Sequence, residues 1–393
     1  MIALAIEGAT ILQVIPHLGA GGAERTTIEV AEALTAAGAT ALVASVGGRL
    51  EGELSRVGGK LIRIDSLASK NPITIRWNAH VLSKIARQQN VKLIHARSRA
   101  PGWSALWAAR GMKLPFVTTY HGVYNAPIGA KGGLKRWYNS VMARGDTVIA
   151  NSDYTAAHVR REHPEAASRI VTIHRGVDIV RFSPAAVNDV RRASTRKTWR
   201  IDETSGPVIL LPARMTGWKG HREAIAAAGI LAKKSDQPWT MVFAGDHQGR
   251  LEYVAELAAL ISQHGINARV RMAGHCDDMP AALAVSDIVI APSNEPEAFG
   301  RVAAEAGAMG VPAVGSSVGA QGEIIVDGET GLIVAPRNPE ALAGAMERLL
   351  GMGKAGRAEM GAKALHRVGE RFTTSALQKA TLSVYEGLMG RSV

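Results

Sequence analysis

The stretch Asn294-Glu295-Pro296-Glu297-Ala298-Phe299-Gly300-Arg301-Val302-Ala303-Ala304-Glu305 decides how this chain reads. It follows the apolar run Ile288 to Ala291, a short buried strand by its length and composition, and leads into Val302, Ala303, Ala306 and Met309 at helical spacing. Pro296 and Gly300 punctuate the loop between them. A strand end, a loop and a helix start therefore coincide. In an open parallel sheet ligands bind at such a place, and the unpaired N–H groups near Phe299 and Gly300 suit a phosphate. Glu297 precedes the helix and Glu305 lies about two turns into it, so two carboxylates can meet two parts of one ligand. Two solvated glutamates would give the same spacing, and the pattern gains meaning only from its surroundings.

Around this stretch, strand-like and helix-like segments alternate. Val208 to Leu211, Thr240 to Ala244, Val270 to Ala273, Ile288 to Ala291, Pro312 to Gly315 and Leu332 to Ala335 read as strands, with helical patterns such as Lys219 to Lys233 and Leu251 to Ser262 between them. The same alternation runs earlier through Thr10 to Ile15, Ala41 to Val46, Leu61 to Ile64, Lys92 to Ala96, Pro115 to Thr119, Thr147 to Asn151 and Ile170 to His174. Such order predicts two parallel sheets, each covered by helices on both faces. The polar, basic segment Asn188 to Arg200 has few periodic apolar residues and reads as a linker with a surface segment, which sets the expected domains at 1–184 and 185–373. At 393 residues and 47% hydrophobic composition the chain is long enough for two cores.

The single cysteine, Cys276, excludes an internal disulfide framework and a thiolate metal site, and it suits a reducing cytoplasm. No apolar run approaches the roughly 20 residues of a membrane span, and Met1 to Ala9 carries Glu7 without a basic leader, so neither an export nor a spanning segment is expected. Residues 1–184 hold 23 Lys+Arg against 12 Asp+Glu, which is +11 of the chain's +12. A surplus placed in one half points to an acidic substrate or an anionic bilayer. Aromatics are only 5% and no nucleic-acid module is recognisable, so nucleic acid is not an expected partner.

Two loops carry the remaining chemistry. Pro212-Ala213-Arg214-Met215-Thr216-Gly217-Trp218-Lys219-Gly220 follows the first strand of the second half, placing Arg214 and Lys219 at the same sheet edge as Glu297. A guanidinium and an ammonium there suit a diphosphate and can neutralise it as it departs. Near the N-terminus, Thr10 to Ile15 is followed by His17-Leu18-Gly19-Ala20-Gly21-Gly22 and a helical pattern from Glu24 to Leu34. These glycines allow close approach to a ligand or a tight turn, and their spacing is not the dinucleotide fingerprint.

Taken together, Gly19 to Gly22, Tyr120-His121-Gly122, Gly176-Val177-Asp178 with Phe182 and Pro184, Arg214 with Lys219-Gly220, Glu297-Ala298-Phe299-Gly300 with Glu305-Ala306, and Gly310-Val311-Pro312 resemble the retaining glycosyltransferases of family 4. The resemblance covers nearly the whole chain. It implies the GT-B fold, an α/β architecture of two doubly wound Rossmann-like domains facing across a cleft, with a terminal helix at 374–393 packing back onto the first. It implies a nucleotide-diphosphate sugar donor: Glu305 on the ribose hydroxyls, Arg214 and Lys219 on the diphosphate, and Glu297 on the donor sugar. Phe299 and Gly300 would support phosphate or sugar through their N–H groups, Gly21 and Gly22 would approach the diphosphate, and His121 would lie beside the reacting centre. Two positions depart from the family pattern: Ala213 stands where glycine is common, and Arg175 where asparagine is common.

No protein nucleophile is assigned, and the leaving group's charge is given to Arg214 and Lys219, so neither a metal nor another cofactor is expected. No Asp-x-Asp occurs in the chain. Arg97-Ser98-Arg99 follows the strand Lys92 to Ala96, where acceptors enter in this fold, and Arg97 and Arg99 suit an anionic saccharide or lipid-linked acceptor. Gly133 to Arg144 reads as a basic helix with Leu134, Trp137, Val141 and Met142 as apolar positions and Lys131, Lys135, Arg136 and Arg144 around them. Such a helix fits peripheral contact with an anionic membrane or packing into a core. The resulting expectation is a cytoplasmic, metal-independent transferase acting on a lipid-linked or lipopolysaccharide-core sugar at the inner membrane face. A non-hydrolysing nucleotide-sugar epimerase and a non-catalytic nucleotide-sugar-binding module are the alternatives.

Overall fold

Short apolar runs bounded by turn residues become strands along the whole chain. The structure is a computed structural model and describes residues 6–19, 21–123, 130–234 and 237–390, with side chains omitted at 130–132. Two compact units emerge, one made of Met1–Arg175 with Thr374–Val393, the other of Gly176–Thr373.

In the first unit the strands are β1 (Thr10–Val14), β2 (Thr40–Ser45), β3 (Lys60–Arg63), β4 (Val91–Ala96), β5 (Phe116–Tyr120), β6 (Thr147–Ala150) and β7 (Ile170–Thr172). They lie in the order β3-β2-β1-β4-β5-β6-β7, every neighbouring pair parallel. Successive residues point to opposite faces, so each strand feeds two cores. Leu12, Leu42, Ile94 and Phe116 pack on one face, while Ile11, Val43, Leu93, Val117 and Ile149 pack on the other. The helix Thr374–Met389 belongs to that second face, burying Leu377 and Tyr385 there.

The second unit repeats the plan with β8 (Val208–Leu211), β9 (Thr240–Ala244), β10 (Val270–Gly274), β11 (Ile288–Ala291), β12 (Ala313–Ser316) and β13 (Gly331–Val334), in the parallel order β10-β9-β8-β11-β12-β13. Ile209, Leu211, Met241, Phe243 and Ile290 face one layer of helices, and Val208, Leu210, Val242 and Val289 the other.

Three expectations change. The unit boundary falls after Arg175 rather than at 184/185, because Val177 and Phe182 are buried in the second unit's core and Val177 N–H donates to the Phe372 carbonyl at 2.8 Å. The segment taken as a linker is instead the helix Asp189–Thr198, capped by the Asn188 side chain. It buries none of its residues, so it lacks the apolar period of a core helix. Side-chain bonds hold it: Arg191 grips the Asp278 carboxylate through Nε at 2.8 Å and Nη2 at 2.6 Å, and Arg192 donates to the Ala284 carbonyl at 2.7 Å. The basic helix runs Ala130–Asn139 rather than from Gly133 to Arg144, with a 3-10 turn at Ser140–Ala143. Val141 and Met142 are buried in that turn, whereas Leu134 (71%) and Trp137 (52%) are exposed; the Lys131 side chain lies outside the described residues. Among the described residues no helix is long and apolar enough to cross a membrane.

One titratable group sits in the second core. His221 opens the helix His221–Lys234, is fully buried, and meets Phe243 and Tyr253 edge-on at 5.3 and 6.2 Å. Burial, with the charge of Lys219 adding to it, pushes its pKa down from 6.5 to about 4. Between those values an unfolded chain binds a proton that the folded chain refuses, so stability is complete above pH 6.5 and falls as pH drops toward 4. Measured by urea unfolding, wild type should lose about 1.4 kcal/mol per pH unit relative to His221→Leu at the steepest part of that window. A wild-type-to-variant difference constant from pH 7 to 4.5 would refute it.

Candidate functional site

In each sheet the strand order reverses once, and the reversal leaves a crevice at the carboxyl ends of two adjacent strands. In the second unit those strands are β8 and β11. The loop after β8 carries Arg214 and Lys219; the loop after β11 carries Ser293 and Glu297. Adjacent strands thus bring together residues 78 positions apart. Lys219 Nζ lies 2.5 Å from Glu297 Oε1, both side chains about 15% exposed, and Ser293 Oγ donates to the same carboxylate oxygen at 2.6 Å. Lys219 also stands over the Trp218 ring, 4.1 Å from its centroid.

The backbone fixes this arrangement. Ala320 N–H donates to the Glu297 carbonyl at 2.8 Å, and Glu297 bridges to Gly319. A Cβ on Gly319 would lie 2.4 Å from the backbone N and O of Glu297, and its φ of +81° is left-handed, so only glycine lets the two strands of loop approach. Asn294 N–H donates to the Trp218 carbonyl at 2.7 Å, tying one loop to the other, and Met215 N–H donates to Asp246 at 3.1 Å. Arg214 is exposed. Gly300, at φ +92°, caps the helix Arg301–Ala308, and the Phe299 ring is buried against Phe372 at 6.0 Å. Glu305, one helical turn beyond Arg301, accepts from Arg301 Nε at 3.2 Å and Nη2 at 2.9 Å.

In the first unit the reversal lies between β1 and β4. The glycine loop after β1 delivers Gly21 as the cap of the helix Gly22–Ala36. His121 follows β5, and its Nδ1 accepts from Arg175 Nη2 at 3.0 Å. Burial first, then the charges of Arg175 and Arg97, holds the imidazole well below its ordinary pKa. Arg97, expected on the acceptor side, is turned into the unit. It is 2% exposed, with Nε and Nη2 donating to Gln13 Oε1 at 2.9 and 2.6 Å, so its charge is committed within the unit. Arg99 is half-buried at the start of the helix Arg99–Met112 and donates to Asn139 Oδ1 at 2.9 Å.

Sequence reasoning thus named Lys219 and Glu297, which meet, and Glu305, which pairs with an arginine it overlooked. It missed Ser293, Arg301, Gln13 and His95. The alternation of strands held a signal for the last two: Gln13, His95 and Thr119 share a face with the buried Ile11, Leu93 and Val117, and Arg97 continues that parity. His95 is fully buried, its ring nitrogens meeting Thr119 Oγ1 at 2.7 Å and the Tyr385 hydroxyl.

Comparison with known proteins agrees with both halves. The family described as Glycosyltransferase Family 4 matches residues 20–181, and the one described as Glycosyl transferases group 1 matches residues 192–367. A D-inositol 3-phosphate glycosyltransferase of Salinispora tropica is 32% identical over 252 residues, 62% of this chain and 52% of that protein, so the chain spans about half of that relative's length. A glycosyltransferase from Rickettsia africae has a crystal structure alike at a TM-score of 0.89, with 33% identity over 97% of this chain and 99% of that one. HepE from Anabaena, solved with UDP-glucose, shares the fold at a TM-score of 0.81 and 22% identity over 96% of this chain and 99% of the other. The chain therefore belongs to glycosyltransferase family 4, and its two parallel sheets are the Rossmann-like units of the GT-B fold.

Proposed function

We propose that this chain is a retaining, metal-independent glycosyltransferase that moves a sugar from a nucleotide-diphosphate sugar to an anionic, lipid-linked or lipopolysaccharide-core saccharide. The contact between Lys219 and Glu297 carries the reading. An ammonium for a diphosphate and a carboxylate for sugar hydroxyls stand side by side at a switch point, on loops held by backbone hydrogen bonds. Glu305 takes the ribose hydroxyls in this reading, exchanging part of its contact with Arg301. UDP-glucose is the first donor to try, since HepE, alike in fold, was solved with it.

The reaction breaks the anomeric C–O bond, and its electron pair leaves with the diphosphate. Arg214 and Lys219 stabilise that developing charge. The acceptor oxygen forms the new bond on the face being vacated, and its proton passes to a departing phosphate oxygen. No protein side chain bonds to the sugar.

The +11 surplus of residues 1–184 and a relative named for D-inositol 3-phosphate, itself anionic, support an anionic acceptor. One exposed aromatic surface supports the membrane part of the reading. Ile73 and Trp77 are exposed on the helix Pro72–Gln88, and they line a hollow with Arg76 and Trp107. Trp107 neighbours Trp103 at 5.8 Å, which stacks on Trp137 at 4.6 Å, so this aromatic strip runs into the basic helix of Lys135 and Arg136. Each basic side chain near an anionic surface is worth about 1 kcal/mol, within a Debye length of roughly 8 Å at physiological salt.

Protection from thermal unfolding across a panel of nucleotide sugars, followed by product analysis, names the donor; an isomerised free nucleotide sugar formed without acceptor would replace this reading by an epimerase. Lys219→Ala should lose roughly 2–4 kcal/mol of transition-state stabilisation while chelator leaves the wild-type rate nearly unchanged. Collapse in chelator with recovery in manganese would overturn the metal-independent assignment. Co-sedimentation with vesicles should rise with anionic lipid, fall with salt, and weaken when Lys131, Lys135 and Arg136 become glutamine. Equal binding to neutral and anionic vesicles removes the membrane claim.

A further inference from the structure

Arg175 ends the first unit's main stretch, and the structure gives it a specific neighbour on each side. One guanidinium nitrogen, Nη2, lies 3.0 Å from Nδ1 of His121. The group also rests on Gly22: a Cβ built there would fall 2.3 Å from Nη1 and 2.9 Å from Cζ. Gly22 is therefore a notch that admits the guanidinium, and any side chain at 22 would push it aside.

An arginine side chain has only N–H donors and no acceptor. Its bond to Nδ1 requires the lone pair of that nitrogen. In a neutral imidazole the proton must then be on Nε2. The ring is kept neutral by what faces it: burial, Arg175 from the segment after β7, and Arg97 and His95 from β4 and its end, each of which disfavours the imidazolium. Nε2 is itself buried and has no partner among the described residues. It borders a small cavity with room for about one water. Asn151, 1% exposed and lining the same cavity, has both amide atoms unpartnered among the described residues. Two buried polar side chains of unspent hydrogen-bonding capacity border that cavity.

We propose that Arg175 is a positioning residue that locks His121 as the Nε2–H tautomer, through a guanidinium seated in the notch at Gly22, so that the ring offers substrate one fixed hydrogen-bond donor. His121 then acts as a donor to an oxygen of the sugar or of the acceptor, and it has no lone pair at Nε2 with which to take a proton. This role rests on the glycosyltransferase reading for its use. The tautomer itself does not.

Nitrogen NMR of protein labelled at histidine, with His121 assigned through His121→Gln, reads the proton directly and needs no sugar donor. Wild type should show a bare Nδ1 and a protonated Nε2, unchanged between pH 5.5 and 8. Arg175→Met should give a mixture of tautomers, Arg175→Lys should preserve the wild-type pattern because ammonium is also donor-only, and Gly22→Ala should reproduce Arg175→Met with the arginine still present. A proton on Nδ1 in wild type, or a wild-type pattern in both Arg175→Met and Gly22→Ala, overturns the proposal. If Arg175→Met does not fold, Gly22→Ala decides alone, since it displaces only the flexible end of a side chain. In turnover assays Arg175→Met should lower kcat and Arg175→Lys should restore much of it. A chain inactive with every donor would defeat the glycosyltransferase reading while the spectrum still settled the tautomer.

Discussion

A parallel sheet must be covered on both faces, and this requirement organises everything else in the molecule. Each crossover helix carries the chain back to the start of the next strand, so all strand ends of one sign gather on one edge. Where the strand order reverses, between β1 and β4 and between β8 and β11, neighbouring loops diverge and leave a crevice. Lys219 and Glu297 meet because their strands are adjacent at that reversal, although 78 residues separate them. The charge pair is mostly withdrawn from water, where each partner offsets part of the other's desolvation penalty. A ligand that bonds to both preserves that compensation and adds its own charge to it.

The same rule explains what could be read from the sequence. Strands buried on both faces are continuous apolar runs cut off by turn residues, and the observed strands lie within a residue or two of the runs that marked them. Helices were legible where one face is buried. The helix Asp189–Thr198 was not, because its hold on the unit comes from Arg191 and Arg192 reaching to Asp278 and Ala284 rather than from an apolar stripe. Lys219 and Glu297 could be found from their place after strands, since ligands in such sheets bind at the carboxyl ends of strands. Arg97 occupies a similar place and is turned into the unit by strand parity, a feature that position alone does not report. The partner of Arg175 lies 54 residues away on another strand's end, and no local pattern encodes it.

On the first unit's sheet, the polar residues on one face form a layer beneath the ligand edge. Gln13 holds Arg97, Thr119 and Tyr385 hold His95, and Arg175 holds His121. Burial lowers the pKa values of His95, Arg97 and His121 and raises that of Tyr385, in each case by disfavouring the charged form. A buried polar layer of this kind costs stability when partly satisfied and defines one geometry when fully satisfied. Here the layer is satisfied at Arg97 and His95 and, among the described residues, left open at His121 Nε2 and Asn151.

Tyr385 belongs to a segment made after the whole second unit. The second unit is one continuous stretch, Gly176–Thr373, whereas the first draws its final helix from Thr374–Met389. During synthesis the strands β1 to β7 emerge early and wait for about 200 further residues before the hydroxyl that closes over His95 exists. Domains generally fold as they emerge, N-terminal first. Here the first unit lacks Leu377 and Tyr385 from one of its cores until the whole second unit has been translated, so its core is completed after that unit's residues exist. Emergence of Thr374–Met389 is then the event that brings Tyr385 to His95 and completes the first core.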